Sequence, residues 1–196
     1  MGTTRLETFS DGVFAIAATL LVLDVRASGP RLGHELLHIW PSYVAYAISF
    51  VTIGIMWVNH HVVFEQIGRV DRTFLFVNVL FLALIAFVPF PTRLVAENLR
   101  GHDIRAAALA YGITFTATAV LYNAVWLYAA LGRRLLHPDT NQRVVSGITR
   151  SYLPGPWIYL GATLVALASP IASIVLFGAI ALVYVLESSV FGREAT

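Results

Sequence analysis

Six stretches of this chain are long and apolar enough to cross a bilayer, which leaves it few possible folds. A spanning helix needs about 20 mainly apolar residues. In hydrocarbon, backbone polar groups must be bonded within the protein, so helices are the expected element. The stretches run over residues 5–25, 36–64, 72–95, 104–132, 153–168 and 171–190. The third is expected to end at the Val88-Pro89-Phe90-Pro91 break. The fifth is entered through Pro154-Gly155-Pro156, and only Ser169-Pro170 separates it from the sixth. Charged residues make up 12% of the chain, against about 25% in soluble domains. The expectation is an all-α integral membrane protein, one domain over residues 1–196, with six transmembrane helices.

Several function classes fall away. All 13 basic residues are arginine, and the formal charge of +2 is too small to argue for nucleic acid. With no cysteine there is no disulfide, thiolate nucleophile or thiolate metal site. Residues 1–4 do not read as a signal-peptide head. With the N-terminus inside, Arg5, Arg69, Arg72, Arg133, Arg134, Arg143, Arg150 and Arg193 share one side. Arg26, Arg31, Arg93, Arg100 and Arg105 take the other. This excess predicts that both termini are cytoplasmic.

Two polar clusters interrupt the apolar runs. One is the head of the first helix, Arg5 to Asp11, which leads into a charge-free run from Gly12 to Leu23. The other is Trp57-Val58-Asn59-His60-His61 on the second helix. Antiparallel helices place them at one depth. Ionisable groups inside a membrane face the bundle interior with a partner, so Asp11 with a histidine is the natural pairing. Trp57 and His61 share a helical face, while His60 lies about 100° round. Adjacent histidines make a poor zinc pair, since helical sites use spacings such as i,i+4. A hydrolase built on Ser10, Asp11 and His60 or His61 lacks a nucleophile elbow and an oxyanion loop, so no enzyme is expected. A structural lock between the first two helices, or a proton-carrying Asp11 or histidine, remains.

The first helix has distinct faces. Ile16, Leu20 and Leu23 fall within about 60° of one another. Phe9, Gly12 and Val13 extend that stripe, and Thr19 lies at its margin. The other side carries Asp11, Ala15, Ala18 and Val22, small as close membrane packing prefers. The aliphatic stripe meets either lipid or copies of itself around a symmetry axis, where an apolar constriction gates by dewetting. Periodicity leaves both open. Asp24 either concentrates cations at a mouth or is an interfacial acid paired with Arg26. Glu65 and Glu187 read as solvated surface.

Arg5-x-x-x-Phe9-Ser10-Asp11 resembles the RxxxFSD signature of the transmembrane protein 175 family of potassium channels. The continuation GVFAIAATLLVLD is similar to the pore helix of the prokaryotic members, and WVNHHVVF, Trp57 to Phe64, to their second-helix motif. The six-helix layout matches one repeat over almost the whole chain. The resemblance implies a homotetramer in the plasma membrane, with four copies of helix 1 lining the pore. It implies passive, K⁺-preferring conduction with K⁺ as the permeant ion, no cofactor and no metal site. It carries the hydrophobic constriction to Ile16, Leu20 and Leu23, with the Thr19 hydroxyl near the first ring. It carries the family's structural network to Arg5, Phe9, Ser10, Asp11, Trp57 and His61, and less directly to Asn59 and His60. A proton-coupled or proton-leak transporter using Asp11 and His61 is the alternative, and a non-conducting scaffold the next.

Overall fold

A computed structural model describes residues 3–26 and 32–191. The chain forms α1 (Thr4–Leu20, prolonged by a 3₁₀ turn, Leu21–Asp24), α2 (Leu32–His38), α3 (Trp40–Phe64), α4 (Arg72–Phe87) and α5 (Pro89–Asn98). It continues with α6 (Ile104–Ala130), α7 (Gln142–Tyr152), α8 (Gly155–Val165) and α9 (Pro170–Phe191). Among the described residues no strand forms, and extended pairing is confined to an isolated bridge between Ile67 and Leu136.

Local chemistry sets the boundaries. The Asp71 carboxylate accepts from the Phe74 N–H at 2.9 Å and starts α4. Asn141 does the same for Arg143 at 2.8 Å and starts α7. Prolines open α3, α5 and α8 in the first turn, where a missing N–H costs nothing. Gly132, at φ 61°, ends α6.

Among the described residues four helices are long and apolar enough to cross a membrane: Thr4–Asp24, Trp40–Phe64, Arg72–Asn98 and Ile104–Arg133. The prolines at 89 and 91 do not end the third stretch, as expected from the sequence, but kink it. Val88 closes α4 and Pro89 opens α5. Pro89 has no N–H for Ile85, so the Val88 N–H takes that carbonyl at 3.2 Å. The Thr92 hydroxyl bonds the Val88 carbonyl at 2.9 Å and meets Ser49 at 2.8 Å. Ser49 in turn meets the Tyr111 hydroxyl at 3.0 Å. This buried triad pins the kink to α3 and α6. Two further departures are α2, separated from α3 at Ile39, and α7, which fills much of the stretch read as a loop.

α6 is the central post, packed against α4, α5, α8 and α9, while α1 lies to one side against α3 and α4. The α6–α8 seam is close at Gly112, where an added Cβ would stand 2.5 Å from Thr163 Oγ1 and 2.9 Å from Thr163 Cβ. Small residues permit such approaches between membrane helices. Gly112→Leu is therefore expected to lower stability by about 2 kcal/mol through overpacking. Thermal unfolding in detergent measures the loss, and Thr163→Ala in the same chain should recover part of it.

The α3–α4 and α6–α7 loops clasp each other at one end of the bundle. Gly68 N–H donates to Leu135 O at 2.9 Å and His137 N–H to Gln66 O at 3.0 Å. Asp71 closes the clasp, accepting from Tyr128 at 2.9 Å and lying 3.6 Å from Arg134. The Phe74 N–H, then Tyr128 and Arg134, hold the Asp71 carboxyl below the usual aspartate value. A depressed folded pKa gives stability that is complete above the ordinary value of about 4 and is lost as pH falls through the folded value. The thermal midpoints of wild type and Asp71→Asn should differ at neutral pH and converge below about pH 4. A gap constant across that range would remove the charge from the explanation.

The element order sets Arg5, Arg69, Arg72, Arg133, Arg134, Arg143 and Arg150 at the clasped end and Arg26, Arg93, Arg100 and Arg105 at the other. Arg31 and Arg193 lie outside the described residues, as does the Glu187 side chain.

Candidate functional site

α1 turns a narrow face to the bundle. Leu6, Ser10, Phe14, Ala17 and Leu21, spaced by three or four residues, are buried. Phe14 is the anchor, with its ring centroid 6.0 Å from Phe81 of α4 and 5.5 Å from His60 of α3. The expected packing face of Asp11, Ala15, Ala18 and Val22 is displaced by this choice. Ala18 is half-buried and the other three are exposed, because the aromatic side chain of Phe14, not the small residues, docks between α3 and α4.

The tether is a chain of buried polar groups. The Asn78 amide on α4 donates to Ser10 Oγ at 3.2 Å. Its carbonyl oxygen lies 3.0 Å from His60 Nε2. With the Asn78 nitrogen spent on Ser10, its oxygen accepts, so His60 Nε2 carries the hydrogen. The His60 ring stacks on Phe64 with centroids 4.2 Å apart. Beside this chain the Trp57 indole N–H donates to Asp11 at 2.8 Å.

The histidines thus part company. His60 is 2% exposed, while the His61 side chain is 66% exposed, 3.5 Å from Glu65 and stacked on Trp57. His61 is not brought to Asp11, whose partner is Trp57. The reason is the roughly 100° between neighbours on a helix, which sends one ring inward and the other out. Asn59 faces α6 and α7, its carbonyl accepting from Tyr122 at 2.8 Å and its side chain from Tyr152 at 3.4 Å. Asn78 is the member missed by sequence reasoning, although a lone amide in an apolar spanning run is itself a signal.

The stripe is open. Ile16 is 61%, Leu20 40% and Leu23 56% exposed. Arg5 and Phe9 extend it downward, both exposed, and Arg5 has no ion-pair partner among the described residues. Neither joins the tether within one chain. The Thr19 hydroxyl donates to the Ile16 carbonyl at 2.9 Å, which leaves its lone pairs facing outward. Asp24 is half-buried at the end of the 3₁₀ turn. Arg26 does not pair with it but bonds the Leu23 carbonyl at 2.7 Å. Glu65 is exposed, as expected. Among the described residues no cluster of side chains suited to a metal ion forms.

The chain that carries this arrangement has relatives whose names state a function. The sequence profile described as "Endosomal/lysosomal potassium channel TMEM175" matches residues 5–89. A potassium channel of Chamaesiphon minutus is 42% identical over 193 residues, covering 95% of each chain. A potassium channel of Streptomyces collinus is 48% identical over 139 residues, covering 68% of each. The crystal structure of a lysosomal potassium-selective channel TMEM175 homologue from Chamaesiphon minutus superposes with a TM-score of 0.86. It is 41% identical in sequence, and the match covers 95% of this chain and 97% of that one. Sequence and fold agree along nearly the full length, and the chain belongs to the TMEM175 family.

Proposed function

We propose that this chain is the subunit of a potassium channel, a passive K⁺-preferring pathway whose wall is the Ile16, Leu20 and Leu23 stripe of α1. The observation that carries the reading is that stripe: large, aliphatic and uncovered on a helix whose other side is anchored by buried hydrogen bonds. The naming of the bacterial relatives as potassium channels supports it. Four copies of α1 around an axis bring the stripes together as stacked apolar rings in a homotetramer. Six crossings per subunit follow when α8 and α9 are counted as the fifth and sixth. The arginine excess at the clasped end supports a reading with both termini in the cytoplasm and the channel in the plasma membrane.

Aliphatic rings offer a dehydrated ion no ligand. They select by size and by hydration cost, which favours the ion that sheds water more readily. Thr19 adds an oxygen whose hydrogen is already committed to Ile16. Asp24 stands beyond Leu23 as a source of negative potential at the mouth. Ser10, Asp11, Trp57 and Asn78 fix the helix and do not touch the ion. No cofactor enters this scheme.

Bilayer recording with K⁺ on one side and Na⁺ on the other tests it. Single-channel steps with a reversal potential displaced toward K⁺ are expected. Saturable, pH-driven flux without steps would favour a proton-coupled transporter using Asp11 and His61. Silence from a correctly folded protein would favour a scaffold.

A further inference from the structure

α7 presents two unlike faces. Toward the bundle it buries Val145, accepts the Trp126 indole N–H on Thr149 at 2.9 Å, and sets Tyr152 edge-on to Tyr122 with ring centroids 5.1 Å apart. Away from the bundle stand Arg143, Ser146, Gly147 and Arg150, all exposed, at the i, i+3, i+4, i+7 spacing of one helical face. They line an open cavity of 320 Å³.

The partners of α7 fix its depth. α6 has 27 residues, about 40 Å at 1.5 Å per residue. That is close to the thickness of a bilayer with its headgroup layers. Trp126 lies about 6 Å and Tyr122 about 12 Å from the end of α6 on the same rise. α7, bonded to both, therefore stands at the level of headgroups and the outermost hydrocarbon, not in open water.

Its two arginines are uncommitted. Arg143 and Arg150 form no ion pair among the described residues. Four other arginines at this end are engaged: Arg69 on the Arg134 carbonyl, Arg133 on the Pro138 and Thr140 carbonyls, Arg134 on Asp71, and Arg72 over the Phe76 ring; Arg5 stands apart on α1. Between residues 131 and 152 the sequence holds four arginines and one acid, Asp139. At Gly147 a Cβ would meet nothing within 4 Å, so the space between the guanidinium groups is open.

We propose that the Arg143–Arg150 face of α7 binds the phosphate of an anionic phospholipid headgroup. Seven residues separate the arginines by about 10 Å along the axis, a gap that two flexible stems close onto one phosphate. Guanidinium groups match phosphate oxygens bidentately, and the Ser146 hydroxyl donates from between them. The depth of the face favours a lipid over a free anion. Because α7 is bonded to Trp126 and leads into α8, a lipid held there braces the α6–α8 seam from outside.

The full chain, purified in mild detergent, is titrated with phosphatidylglycerol or phosphatidylcholine, and retained lipid is counted by native mass spectrometry beside the thermal midpoint. Wild type should retain phosphatidylglycerol about thirtyfold over phosphatidylcholine, the scale expected of two basic side chains at an anionic surface. Arg143→Gln/Arg150→Gln should lose that preference, and Arg143→Lys/Arg150→Lys, which keeps both charges and controls for folding, should keep most of it. Equal retention by wild type and the glutamine pair would overturn the proposal. Stabilisation of wild type by millimolar inorganic phosphate to the same degree as by the lipid would also overturn it, in favour of a soluble-anion site.

Discussion

Ile16→Asn should raise ion flux through reconstituted protein by roughly tenfold or more. Ile16 is more exposed than Leu20 or Leu23, and on the proposed assembly its branched side chains form the first apolar ring. An ion passing such a ring loses water and gains no ligand. An amide in the same place keeps water, since burying a polar group without a partner costs about 1–3 kcal/mol in proteins. Each roughly 1.4 kcal/mol removed from a barrier is a decade in rate. Ile16 belongs to no buried cluster of the chain, so the thermal midpoint should hold while flux rises. Liposome flux with Ile16→Val as a size control separates wetting from widening. Unchanged flux in the asparagine variant would remove α1 from the pore.

Asn78→Leu should release α1 from the bundle at a cost of about 2 kcal/mol. Leucine fills nearly the same volume but leaves the buried Ser10 hydroxyl and His60 Nε2 without partners. Hydrogen bonds between membrane helices average only about 0.6 kcal/mol, yet two orphaned groups each carry a desolvation penalty of about 1–3 kcal/mol. Thermal unfolding and the oligomer profile on size exclusion report the loss. Ser10→Ala and His60→Leu added to the same chain remove the orphans and should restore much of the stability. If the single variant is as stable as wild type, the polar chain does not hold α1.

The spanning helices were legible because hydrophobic length is a local property. Thr4–Asp24, Trp40–Phe64 and Ile104–Arg133 lie within a few residues of the runs read from sequence. Pro89 misled, because a proline that ends one helix is also the favoured first residue of the next, and the helical backbone of Val88 shows that the two run on as one span. α7 was hidden by its arginines. Its Asn141 cap and the Val145, Ile148, Tyr152 spacing were visible, but a charged run between two membrane helices reads first as a loop.

The site was half legible for a different reason. Helical spacing told that His60 and His61 point apart, but not which one faces inward. That was decided by Phe81 and Asn78 of α4, which meet the His60 ring together with Phe64 one turn along α3. In the same way the packing side of α1 was set by the fit of Phe14 against Phe81, a pairing that no single-helix pattern contains.

The division of α1 into an anchored side and a bare side has a genetic consequence. The residues that hold the helix in its own chain are not those of the stripe, so a lesion at Ile16, Leu20 or Leu23 spares folding. On the proposed assembly, such a chain still joins intact copies and contributes one damaged wall to each pore it enters. Stripe alleles should then act dominantly when co-expressed with wild type. Alleles that break the anchor, at Asn78 or Phe14, remove the chain before assembly and should behave as recessive.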